Sequence, residues 1–177
     1  MSIRDKLEAT ASVAFIGVAV LLSAALIKAY FLPTPSRSIP RAAIAGGGGT
    51  SLVGASLKDR IPGVDWSKNG RTLVLAISTQ CHFCKDSAPF YRKLEAQVGK
   101  SLRTVAVLPQ PVDEAEQFLK GEGVRVSQVK QATMGDIGVQ GTPTMLLVDS
   151  SGVITKMWVG KLQPEQEQQV LTALRKG

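Results

Sequence analysis

Two cysteines, Cys81 and Cys84, sit between a short apolar run and a longer amphipathic one, and this order constrains the fold more than any other feature. Residues 72–78 (TLVLAIS) are apolar and partly β-branched, and the run is the length of a buried strand. Over residues 81–98, Phe83, Phe90, Leu94 and Val98 recur at near-helical spacing, and Gly99 stops the run. Strand, Cys-x-x-Cys, helix is therefore the predicted order. It places Cys81 at or just before a helix N-terminus, where unpaired backbone N–H groups and the positive end of the dipole stabilise a thiolate. Only the thiolate attacks a disulfide. Cys84 falls one turn further in, more buried, placed to attack the mixed disulfide and release the product.

Other uses of the pair fit less well. A domain of roughly 140 residues buries a core without staples. A disulfide closing so short a loop would stabilise little, because the gain grows with loop length. A zinc site needs four ligands, and the 177 residues hold two cysteines and one histidine, His82. No cofactor and no metal are expected. His82 has two readings that the sequence leaves open: a cation that lowers the Cys81 pKa further, or an exposed residue that only shapes the loop.

The rest of the domain alternates. Arg103–Leu108 reads as a strand, residues 112–120 as a helix opened by acidic residues, and Gly121 and Gly123 as its end. Residues 124–127 fit a short strand and 129–137 a weaker helical stretch. Thr144–Asp149 and residues 153–159 are two strands joined by a Ser150-Ser151-Gly152 turn. Pro164 opens a last helix over 165–174. Strands alternating with helices and closing on a hairpin imply a mixed-sheet α/β domain. Trp66 and Trp158 are expected to pack rather than meet substrate, and Met134, Met145 and Met157 to fill the core.

The first 51 residues have a different character. Residues 1–8 form a short flank, and residues 9–27 carry no charge; with Lys28 able to snorkel, 9–32 spans a ~30 Å hydrocarbon core as a transmembrane anchor. The competing reading is a cleaved signal peptide, whose apolar core is usually shorter and ends at a small-x-small site absent here. A buried soluble helix is a third reading, disfavoured because no polar stripe interrupts the run. Residues 33–51, rich in proline and then glycine, read as a linker, with the domain over 52–177. Basic residues flank the apolar run on both sides, so charge alone does not orient it.

The net charge is +7, and removing residues 1–32, with three basic and two acidic residues, leaves +6. The basic residues are scattered and aromatics make up only 5%. Nucleic acid is accordingly not an expected partner; a solvated face near lipid headgroups accounts for the charge.

The run Cys81-His82-Phe83-Cys84-Lys85-Asp86-Ser87-Ala88-Pro89 resembles the thioredoxin superfamily motif, including a proline five residues after the second cysteine. Gly141-Thr142-Pro143-Thr144 before a strand resembles that family's cis-proline loop, and Gly160 after the last strand also fits. The tail from Gly138 to Gly160 is similar to that of membrane-tethered reductases related to TlpA and ResA, over roughly residues 52–175. The resemblance implies a central mixed sheet flanked by helices. It also implies thiol–disulfide exchange with protein clients on the extracytoplasmic (periplasmic) side of a bacterial inner membrane, often in cytochrome c maturation, with an electron donor or acceptor it does not identify. Thr142 and Pro143 would hold the client, the backbone of Thr142 pairing with its chain.

Three positions depart from the family: Gln80 stands where a tryptophan is usual, Phe83 where a proline is usual, and Leu75 where thioredoxins carry a buried aspartate. The last leaves the proton route of Cys84 unassigned. A second function class stays open, a thioredoxin-fold binding or assembly factor whose cysteines sense redox state. A peroxidase fits poorly, because its Pro-x-x-x-Thr/Ser-x-x-Cys loop is missing.

Overall fold

The computed structural model describes residues 51–68, 70–99 and 101–175. The flank 1–8, the expected anchor 9–32 and all of the linker but its last residue lie outside them. Among the described residues no helix is long and apolar enough to cross a membrane.

The elements follow in chain order as β1 (Arg71–Ala76), α1 (His82–Asp86), α2 (Ala88–Val98), β2 (Arg103–Leu108), α3 (Val112–Gly121), β3 (Gln128–Gln131), β4 (Thr144–Asp149), β5 (Ile154–Val159) and α4 (Pro164–Arg175). The sheet order is β3-β2-β1-β4-β5, with β1–β2 and β2–β3 parallel and β1–β4 and β4–β5 antiparallel. This is the expected mixed-sheet α/β domain.

β1 lies at the centre and is buried on both faces. Leu73, Leu75 and then Ile77 enter one core, while Val74 and Ala76 enter another. A strand covered on both sides has no polar alternate, hence its unbroken apolar reading. The first core is roofed by helices: Phe90, Tyr91, Leu94 and Val98 of α2, Leu119 of α3, and Leu171 and Leu174 of α4. The second is roofed without helices, by Leu57, Ile61, Val64 and Trp66 before the sheet and by Ile137 and Val139 before β4. The segment 54–57 is fastened to the β4–β5 hairpin by backbone bonds from Gly54 N–H to Ile154 O and from Leu57 N–H to Gly152 O, both 2.8 Å.

Most boundaries fall within two residues of the sequence reading, and three features differ. The helix expected over 81–98 is two helices, α1 and α2, meeting at Ser87. Pro89 has no N–H to donate to the Lys85 carbonyl, so the ladder breaks there; the Ser87 hydroxyl donates instead to the Phe83 carbonyl at 2.7 Å. The short strand expected over 124–127 begins only at Gln128, because the Val124 N–H still closes α3 on the Leu119 carbonyl. The helical stretch expected over 129–137 is β3 followed by one turn. In that turn the Thr133 and Asp136 side chains each accept the other's backbone N–H, at 3.2 and 3.3 Å. Gly138, at φ 76°, ends the turn.

Candidate active site

The loop leaving β1 delivers Cys81 to the start of α1 as its N-cap residue, at φ −91° and ψ 112°. The cap position turns the Cys81 sulfur onto the first turn of α1, where it accepts the Cys84 N–H at 3.3 Å, shared with the Cys81 carbonyl at 3.1 Å. The thiol itself donates to the Thr142 carbonyl at 3.3 Å. Thr142 arrives from the far side of the chain through a cis Thr142–Pro143 bond, with the Thr144 hydroxyl bonded to the Gly141 carbonyl and the Gly160 N–H to the Pro143 carbonyl, each at 2.7 Å. Four of the residues singled out in the sequence, Cys81, Cys84, Thr142 and Pro143, are thus brought together.

Both cysteines are free thiols in unlike surroundings. Cys81 is partly exposed. Burial opposes its thiolate, but hydrogen bonds from the Cys84 thiol, the Thr142 hydroxyl and the backbone N–H groups of Cys84 and Phe83 outweigh it, so the Cys81 pKa is lowered. Cys84 is 1% exposed, inside the helix-roofed core. Burial, joined by the interaction with Cys81, pushes its thiol up to about 12 against donors from the Ser78 N–H and the Thr142 hydroxyl. Leu75, 2% exposed, lies in that same core and offers no proton acceptor.

His82 has Asp86 as its partner, with Nε2 3.3 Å from the carboxylate and the side chain 78% exposed. The same carboxylate receives Lys161 Nζ at 2.9 Å. That bond from Lys161, working against slight burial and aided by the charge of His82, lowers the Asp86 pKa. Phe83 is 57% exposed beside Cys81. Trp66 and Met145 are buried in the two cores, and Trp158 packs partly buried against the first.

Sequence reasoning did not single out Tyr91, Ser78 or Gln110. Tyr91 is buried with Cys84 in the first core, and burial together with the nearby cysteines holds its hydroxyl protonated well above the usual range. Ser78 and Gln110 occupy loops, where no periodicity marks them. Among the described residues no cluster of three or more His, Cys, Asp or Glu is gathered as a metal would require. An open groove of about 620 Å³ between α3 and β3, lined by Leu119, Val124 and Val129 among others, contains neither cysteine.

The family model of the thioredoxin-like domain matches residues 66–175. A thiol-disulfide isomerase from Corynebacterium glutamicum is similar at 16% identity, covering 63% of this chain and 84% of its own, with a TM-score of 0.52. A thiol:disulfide interchange protein of the thioredoxin family from Chlorobium tepidum is similar at 18% identity, covering 61% and 81%, with a TM-score of 0.50. No curated protein matches the sequence significantly. The two solved neighbours share the fold. With the family model covering residues 66–175 and the cysteines and cis-proline in place, the chain belongs to the thioredoxin-like domain family.

Proposed function

We propose that this chain is a membrane-anchored thiol–disulfide oxidoreductase that exchanges disulfides with extracytoplasmic protein clients. One observation carries the reading. The same functional group occupies two opposite environments one helical turn apart, ionised easily at Cys81 and with difficulty at Cys84.

In the reducing direction the Cys81 thiolate attacks one sulfur of a client disulfide. A Cys81–client disulfide forms and one client thiolate leaves. Cys84 then loses its proton and attacks the Cys81 sulfur, which forms the Cys81–Cys84 disulfide and releases the second client thiolate. The pair loses two electrons and the client gains them; the oxidising direction reverses each step. Ionisation of Cys81 also ends its bond to the Thr142 carbonyl, which is then free to accept an N–H of the client's extended chain. Pro143 cannot donate and leaves that side of the loop open. The uncharged run 9–32 supports the anchor, and an anchor supports an extracytoplasmic site, since a soluble protein serves cytoplasmic exchange.

Thiol trapping tests the roles. Cys84→Ser is expected to accumulate client adducts on Cys81, and Cys81→Ser to accumulate few. Adducts that appear only on Cys84 would reverse the assignment. A fully folded chain with no adducts in either variant would favour a redox-sensing assembly factor.

A further inference from the structure

Resting on the proposed exchange reaction, we infer that Gln110 is a positioning residue for the resolving step, because its amide clamps the loop of residues 78–80 that leads from β1 to the cysteine pair. Gln110 lies between β2 and α3, flanked by Pro109 and Pro111, whose fixed φ angles stiffen the loop that carries it. Its Oε1 accepts the Thr79 N–H at 3.3 Å, and its Nε2 donates to the Ser78 hydroxyl at 3.0 Å. That hydroxyl also accepts the Gln80 N–H at 3.3 Å. The Ser78 carbonyl accepts the Cys81 N–H at 3.2 Å. Every residue of the loop is therefore bonded to Gln110 or to its immediate partner. The first turn of α3 adds a second hold, the Glu114 carboxylate accepting the Thr79 hydroxyl at 2.8 Å.

The loop matters to Cys84 because a backbone bond from Ser78 favours its thiolate, against the burial that disfavours it. With Leu75 apolar and no carboxylate in its place, negative charge developing on Cys84 as it attacks Cys81 leans on that bond and on the Thr142 hydroxyl. Gln110 fixes the first of these two. It touches neither sulfur, so its effect passes through Ser78. The attack by Cys81 shares the Thr142 hydroxyl but otherwise draws on the Cys84 thiol and the N–H groups of Cys84 and Phe83, none of which the clamp holds.

Dithiobis(nitrobenzoate), an aromatic disulfide, reads both steps without any client. Cys81 attacks the reagent and releases one thionitrobenzoate; Cys84, having given its proton to solvent, attacks Cys81 and releases the second. Stopped-flow absorbance on the full reduced chain resolves a concentration-dependent phase and a concentration-independent one. Gln110→Met, similar in length but without the amide, is expected to slow the second phase about tenfold, the equivalent of one hydrogen bond, with the first phase unchanged within about twofold. Gln110→Glu, which can still accept the Thr79 N–H and the Ser78 hydroxyl proton, should recover a substantial part of that loss. A second phase at the wild-type rate in Gln110→Met overturns the inference. So does equal slowing of both phases with a lowered Tm and no recovery by Gln110→Glu, the mark of a merely structural role. Because the reagent stands in for a client, failure of the chain to exchange with any protein would sink the proposed function and leave this result standing.

Discussion

A thiolate at Cys81 meets backbone donors at a helix start, whereas one at Cys84 is enclosed in a core shared with Leu75 and Tyr91. Rates should separate accordingly. With the Cys84 thiol near 12, its ionised fraction rises about tenfold per pH unit below that value, and the resolving step should climb in proportion from pH ~7 to ~10. Attack by Cys81 should level off below the ordinary ~8.5 of a free thiol. Stopped-flow across the pH range checks both, and a resolving rate that plateaus near neutrality would contradict the burial of Cys84. Stability follows by linkage. Between ~8.5 and about 12 the unfolded chain has released the Cys84 proton and the folded chain has not, so the reduced protein loses stability as pH rises through that window. Cys81 acts in the opposite sense below ~8.5: its folded pKa is lowered, and the stability it contributes is lost as pH falls through that value. Denaturant titration of the reduced wild type and Cys84→Ser should show a smaller alkaline loss in the variant. At this scale the cysteines were legible because exchange chemistry needs two thiols at a helix start, and Thr142–Pro143 only through the resemblance of Gly141–Thr144 to a cis-proline loop. Gln110 was not, since a contact made across 32 residues to Ser78 leaves no local pattern.

Elements that bury an unbroken apolar run were legible, and the short edge strand β3 was not. β1, β2 and β4 each hold four consecutive apolar residues between turn signals. β3, of sequence Gln128-Val129-Lys130-Gln131, is only partly buried at the edge, and nothing in its period distinguishes strand from helix. The β4–β5 turn was legible for a chemical reason that the structure completes. The Asp149 carboxylate accepts the Ser151 N–H at 2.9 Å, the Ser151 hydroxyl at 2.7 Å and the Val153 N–H at 3.0 Å. Gly152 sits at φ 85°, and a Cβ there would come within 3.3 Å of the Lys58 side chain and 3.4 Å of the Trp66 ring. Gly152→Ala is expected to cost about 1–2 kcal/mol from backbone strain and crowding together. Chemical denaturation should show that loss while the Cys81 alkylation rate stays at wild type, since the turn lies at the end of β4 away from Thr142.

For the molecule as a whole, the helix-roofed core could be anticipated from amphipathic runs, but the second core could not. Its cover of Leu57, Ile61, Val64 and Trp66 has no regular secondary structure and so no period to detect. That cover sets where the domain can be cut. A chain beginning at Ser51 keeps Leu52 and the bonds of Gly54 and Leu57, and is expected to fold, remain soluble and reduce a test disulfide. A chain beginning at Trp66, where the family match starts, uncovers Val74, Val105 and Leu146 and should aggregate or unfold well below it in Tm. Light scattering and thermal melts on the two chains distinguish these outcomes, and equal stability would mean the cover is dispensable.

The place where that cover is fastened has a mechanical consequence. Arg71 pairs with Asp149 at one end of β1, and Ala76 pairs with Thr144 at the other, where the chain goes on to Cys81. Gly54 and Leu57 are pinned to Ile154 and Gly152, at the Arg71 end. A pull on the chain at residue 51 is therefore borne first by these two backbone bonds and a third, from the Ile154 N–H to the Ala55 carbonyl at 2.9 Å, at the end of the sheet remote from the sulfurs. Under load the cover would peel from the hairpin before any force reached the loop that holds the cysteines, so tension at residue 51 leaves the reactive pair unstrained.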